Sequence, residues 1–254
     1  MNRREKIIRI YDALESHFGD LGWWPADTPF EVMVGAVLTQ NTAWANVAKA
    51  ITRIKEKGLL SPQAMLRTTD SKLAERIRPA GYFRVKTKRL KELCRFLMNE
   101  CGGDPGLFSR IGTGSLREKL LLVNGIGPET ADSILLYALD RPVFVVDAYT
   151  RRIFGRHRIF SGEVSYDDLK DAGESAFSED RKKLNQMHAL IVETAKKYCK
   201  KNSPKCGKCP LFSFMPKGRA KSPEKTKRNK ERTTKGNNGR KDIENSRRSG
   251  PGSR

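Results

Sequence analysis

One carboxylate stands out by its setting. Asp147 follows the apolar run Val143-Phe144-Val145-Val146 and precedes the polar stretch Ala148-Tyr149-Thr150-Arg151-Arg152. An acid at such a boundary either caps a helix or does chemistry, and on pattern alone the cap is the better reading, because Asp is a preferred N-cap. Upstream, Asn124-Gly125-Ile126-Gly127 reads as a turn whose glycines can take positive φ at no steric cost. The backbone N–H groups of Gly125, Ile126 and Gly127 can face a phosphate oxygen there, with the dipole of the following helix favouring negative charge. Trp23, Trp24 and Trp44 gather around the ends of one apolar segment. They either fill a core or form a stacking pocket. Cys199, Cys206 and Cys209 suit a metal site in a reducing compartment better than a disulfide frame.

The elements that must position these groups all read as helices. Pro128 sits at a first helical position, and Ala131, Ile134, Leu135, Ala138 and Leu139 then recur at helical spacing. Leu120, Leu121 and Leu122 fit the end of the preceding helix. Ile7, Tyr11, Leu14 and Phe18 give an amphipathic N-terminal helix, whereas the segment from Phe30 to Thr42 is apolar nearly all round until Thr39-Gln40-Asn41-Thr42 and should run through the core. Residues 43–60 and 61–78 read as short amphipathic helices, with a breaker at Arg78-Pro79-Ala80-Gly81 and a basic helix start from Arg84. Leu90, Leu93, Cys94 and Leu97 form an inward stripe, residues 101–114 a loop, and 164–177 and 184–197 two further helices. No alternating strand pattern of useful length occurs, so the expected fold class is all-α.

Taken together, the hairpin, the helix after it and Val145-Val146-Asp147 resemble the helix-hairpin-helix and aspartate signature of the endonuclease III superfamily of DNA glycosylases. The resemblance implies a two-lobed fold, a hairpin that grips the DNA backbone, and a catalytic role for Asp147. Thr39-Gln40-Asn41-Thr42 looks like the motif that borders the family's pocket, where a glutamine at the Gln40 position helps fill the gap left by a departed base. The segment from Trp23 through Thr42 also resembles the subgroup that removes 3-methyladenine, whose cationic base suits aromatic faces. One departure bears on the reaction. Bifunctional members carry a lysine two residues after the hairpin's second glycine, and here that position is Glu129, which cannot form a Schiff base. The expectation is therefore a monofunctional glycosylase. A bifunctional enzyme acting on oxidised pyrimidines through another amine, and a DNA-binding module without catalysis, are the alternatives.

Cys199-x6-Cys206-x2-Cys209 is similar to the first three ligands of the family's iron–sulfur loop, but Met215 occupies the fourth position. Four thiolates are the usual anchor of a [4Fe–4S] cluster. Three can hold one with a foreign fourth ligand, zinc with a histidine such as His188 is chemically open, and free thiols are the remaining reading. Lys205 and Lys208 flank the loop and suit DNA phosphates. The chain carries 50 Lys+Arg against 29 Asp+Glu, a formal charge of +21, which favours polyanions. No apolar run reaches a membrane span and no secretory segment is recognisable, so the expectation is a cytoplasmic, nucleoid-associated monomer that binds double-stranded damaged DNA. The organisation expected from the family is a central lobe over 22–135 and a second lobe from 1–21 plus 136–216. Residues 217–254 form a basic tail, disordered for want of apolar residues and attracted to nucleic acid without specificity.

Overall fold

The computed structural model describes residues 1–216, and among these no strand forms. The basic tail expected over 217–254 lies outside the described residues. The helices are α1 (Arg3–Phe18), α2 (Pro29–Thr39), α3 (Trp44–Lys55), α4 (Pro62–Arg67), α5 (Asp70–Arg76) and α6 (Phe83–Cys101). They continue with α7 (Thr113–Leu121), α8 (Pro128–Ser133), α9 (Ala148–Arg156), α10 (Tyr166–Ala176) and α11 (Arg181–Lys197). The stretch expected as one helix over 61–78 is divided. Ser61 and Thr69 each adopt an extended conformation and start a new helix, and a 3₁₀ turn follows at Arg78–Ala80.

Local chemistry sets the ends of the elements that matter for the site. Thr28 caps α2 by accepting from the Glu31 N–H at 3.1 Å, with Pro29 in the first turn. From Phe30 to Leu38 every residue of α2 is buried, as its all-round apolar sequence requires. Helix α8 does not end at Ser133 but widens into a π-helical turn, Ile134–Ala138. Such turns shift the side-chain register locally and are common at functional sites.

The helices pack in two groups. Helices α3, α4, α5 and α6 pack together and onto α2, while α1 packs on α10 and α11, and α9 on α11. Helix α2 and α11 both touch the π turn, which joins the groups. Between them runs the extended segment 143–146, buried throughout. It forms no sheet because α10 holds it instead. Glu174 accepts from the Phe144 N–H at 2.9 Å, and the Tyr166 hydroxyl lies 3.3 Å from the Val146 N–H. Gly173 makes room for the Phe144 ring, which a Cβ there would overlap. This rod delivers Asp147 to the start of α9.

Candidate active site

Asp147 is both the cap and a cavity residue. Its Oδ1 accepts from the Thr150 N–H at 2.7 Å and from the Thr150 hydroxyl at 3.0 Å, which closes the first turn of α9. Its Oδ2 faces Nε2 of His188, on α11, at 3.6 Å, an electrostatic contact rather than a hydrogen bond. The other ring nitrogen of His188, Nδ1, meets the Tyr137 hydroxyl. Tyr137 comes from the π turn, and burial holds its phenol well above its ordinary pKa, so it keeps its proton. The phenol and Nδ1 share this hydrogen bond, and Nε2 is the ring nitrogen turned toward Asp147. Burial pushes the Asp147 carboxyl up, but His188 and the two Thr150 donors outweigh it, and the pKa lies below the ordinary value.

The cavity in front of Asp147 measures about 640 Å³ and brings together Trp23, Trp24, Gln40, Trp44 and Asp147, the residues singled out from the sequence. Trp24 meets the edge of Trp44 at 5.0 Å between ring centroids and lies 5.0 Å from Tyr137. The indole N–H groups of Trp23 and Trp24 are buried without a partner. Glu129, Tyr149 and Lys196 also line the cavity, and the Lys196 ammonium rests 5.3 Å from the Trp23 ring. Glu129 remains open to solvent, yet the protein around it and the Asp147 charge raise its carboxyl above the ordinary range, with His188 and Arg151 opposing.

Gln40 ties the cavity to the hairpin. Its amide donates to the Gly125 carbonyl at 3.0 Å and to the Thr130 hydroxyl at 2.9 Å, while its Oε1 accepts from the Arg89 guanidinium. Gly125 has φ +87°, and a Cβ there would stand 2.3 Å from Arg89 Cγ, so glycine is required twice over. The hairpin differs from expectation in one respect. The Ile126 N–H donates to the Val123 carbonyl at 3.0 Å and its side chain is buried, so the amides left to face a phosphate are those of Gly125 and Gly127. Beside this turn Leu122 stands 86% exposed. On the adjoining loop Tyr82 is 74% exposed at φ +45°, a strained position for a bulky aromatic residue. Lys86 ties the turn before α6 to the end of α2: its buried ammonium donates to the Leu38 and Ala80 carbonyls at 2.8 Å each and to the Thr42 hydroxyl at 2.6 Å.

The cysteine loop stands apart from this cavity. Cys199, Cys206 and Cys209 line one small space together with His157 and Met215, and Arg156 donates to Cys199 Sγ at 3.1 Å. No three His, Cys, Asp or Glu side chains among the described residues stand close enough to share a single metal ion. A zinc site with His188 is ruled out more directly, because His188 faces Asp147 instead. Three thiols around one space, with a guanidinium at one sulfur, do fit a cluster of irons, which spreads its ligands further apart than one ion does. Lys205 and Lys208 are exposed on this loop.

Tyr137, Arg89 and Lys86 were not singled out from the sequence, and His188 was named only as a zinc ligand. The only linear signal for His188 was a polar residue inside the apolar run Met187–Val192, and Tyr137 reaches it through a change of helical register that no spacing shows.

Comparison with known proteins places this geometry. The model of the HhH-GPD superfamily base excision DNA repair proteins matches residues 34–179. A putative DNA repair glycosylase of Methanocaldococcus jannaschii is 45% identical over 84% of this chain and 97% of its own. Among solved structures, an H. pylori 3-methyladenine DNA glycosylase bound to 1,N6-ethenoadenine is 28% identical, with a TM-score of 0.67 over 78% of this chain and 98% of its own. A trapped endonuclease III–DNA covalent intermediate is 23% identical, with a TM-score of 0.73 over 85% of this chain and 96% of its own, which bears on the fold. No helix among the described residues is long and apolar enough to cross a membrane.

Proposed function

Given that the chain belongs to the HhH-GPD superfamily of base excision DNA repair proteins and is a DNA glycosylase, we propose that it is a monofunctional one. It hydrolyses the glycosidic bond of a base turned out of double-stranded DNA and leaves the backbone intact. The observation that carries this reading is Glu129, a carboxylate lining the cavity with Asp147 at the hairpin position where a lysine would be needed to attack the sugar. The one amine on the cavity wall, Lys196, rests against Trp23.

The residues divide the work. The Gly125 and Gly127 amides, with Lys205 and Lys208, hold phosphates without reading sequence. Tyr82 and Leu122, exposed beside the hairpin, wedge into the duplex, and Gln40, braced by Arg89 and Thr130, keeps the vacated space open. The base enters among Trp23, Trp24 and Trp44. As its bond breaks, positive charge grows on the sugar, and the Asp147 carboxylate stabilises it electrostatically. A cavity of aromatic faces and two carboxylates favours a cationic base. This supports an alkylated purine such as 3-methyladenine, in line with the H. pylori neighbour. The thiolates of Cys199, Cys206 and Cys209 would hold an iron–sulfur cluster, which would staple the C-terminal loop rather than take part in bond cleavage.

The test is base release from duplexes carrying 3-methyladenine, an oxidised pyrimidine, uracil or a mismatched thymine, each read with and without hot alkali and with borohydride present. Strand cleavage that requires alkali supports the reading and names the base. Nicking without alkali, with a borohydride-trapped adduct, overturns it.

A further inference from the structure

Asp147 is poorly suited to take a proton. Its Oδ1 already accepts two hydrogen bonds from Thr150, and its Oδ2 faces the His188 Nε2. Thr150 and His188 favour the carboxylate form and outweigh burial. Hydrolysis nevertheless releases a proton from water, and a group must receive it.

Glu129 has the complementary properties. It lies in the first turn of α8, lines the same cavity as Asp147, and is open to solvent. Its backbone carbonyl accepts from the Ser133 hydroxyl at 2.7 Å, but among the described residues no hydrogen bond engages its carboxylate. We propose that Glu129 is the general base of the reaction, a catalytic residue distinct from Asp147, which acts by charge alone. The water oxygen bonds to the sugar C1′ as the C1′–N bond breaks, and the bonding pair leaves with the base. The water proton passes to the Glu129 carboxylate and from there to the departing base or to solvent. The low-dielectric protein packed around the exposed Glu129 carboxyl and the Asp147 charge raise its proton affinity, while His188 and Thr150 lower that of Asp147. Two carboxylates driven apart in this way separate a proton acceptor from a fixed charge.

The inference rests on the glycosylase reading, and its test separates the two. Glu129→Gln and Glu129→Asp are compared with wild type in single-turnover base release across pH, on the substrate the wild type uses best, with affinity for the same DNA measured alongside. General-base loss is worth about 10²–10⁴-fold, so Glu129→Gln should fall by about that factor with DNA affinity unchanged. The wild-type rate should rise with pH as Glu129 ionises, above the ordinary glutamate range; Glu129→Asp should keep such a limb and Glu129→Gln should lose it. The titratable and charged groups facing Glu129 are Asp147 and Arg151 from the α9 region, His188 from α11 and the Tyr166 phenol from α10, with Lys196 on the same cavity wall. Formate or azide in the vacated space should restore part of the Glu129→Gln rate. A Glu129→Gln rate and pH profile matching wild type would overturn the inference while leaving the glycosylase reading intact. Wild-type protein that releases no base would instead remove that reading.

Discussion

Asp147 caps α9 and carries the charge assigned to the reaction, and two substitutions separate these roles. Asn caps a helix about as well as Asp, so Asp147→Asn keeps the hydrogen bonds from Thr150 and removes only the charge. Asp147→Ala removes both. The cap is worth about 1 kcal/mol, so Asp147→Ala should melt lower by that amount while Asp147→Asn stays within about 0.5 kcal/mol of wild type at neutral pH. A preorganised group that stabilises developing charge is worth roughly 2.7–4 kcal/mol, or about 10²–10³ in rate. Both variants should therefore lose base release by about that factor in single-turnover assays quenched into alkali. DNA affinity should be equal or greater, since a negative charge near phosphates is gone. The pH dependence adds a sign. The folded-state pKa of Asp147 lies below its ordinary value, so its stabilising contribution is present above about pH 4, the unfolded value, and is lost as pH falls through the folded one. Wild type should lose its advantage over Asp147→Asn in that acid range. Base release by Asp147→Asn at the wild-type rate would refute the assignment. So would a loss of stability in Asp147→Asn equal to that in Asp147→Ala, because the activity loss would then be structural.

Gly125→Ala should cost at least about 1–2 kcal/mol for its left-handed conformation and displace Arg89 from Gln40, lowering both melting temperature and DNA affinity. Gly127→Ala should be tolerated in stability, because Gly127 has φ −95° and nothing stands within 4 Å of its added Cβ. Arg117 pairs with the fully buried Asp132 at 2.8 Å; Arg117→Leu should cost about 3–5 kcal/mol at neutral pH and less in acid, where Asp132, already raised by burial, takes up a proton, as denaturation at two pH values would show. Iron and sulfide should accompany the purified chain, and Cys206→Ser should lower both along with the melting temperature; metal-free wild-type protein of unchanged stability would remove the cluster.

Much of this protein was determined by local sequence. The all-α class followed from helical spacing and the lack of alternation, and the hairpin from two glycines and a proline, because turn and helix preferences act over a few residues. Trp23, Trp24, Gln40 and Trp44 were legible because one apolar helix carries or borders them all. Tertiary structure decided the chemistry around Asp147. His188 lies 41 residues away in the chain, and Tyr137 reaches it only through the π turn. Glu129 could be seen as a missing lysine, but its open carboxylate beside a fully engaged Asp147 depends on which groups α8, α9 and α11 bring to one cavity. Proton affinities follow from burial and neighbouring charges, and those neighbours come from distant parts of the chain.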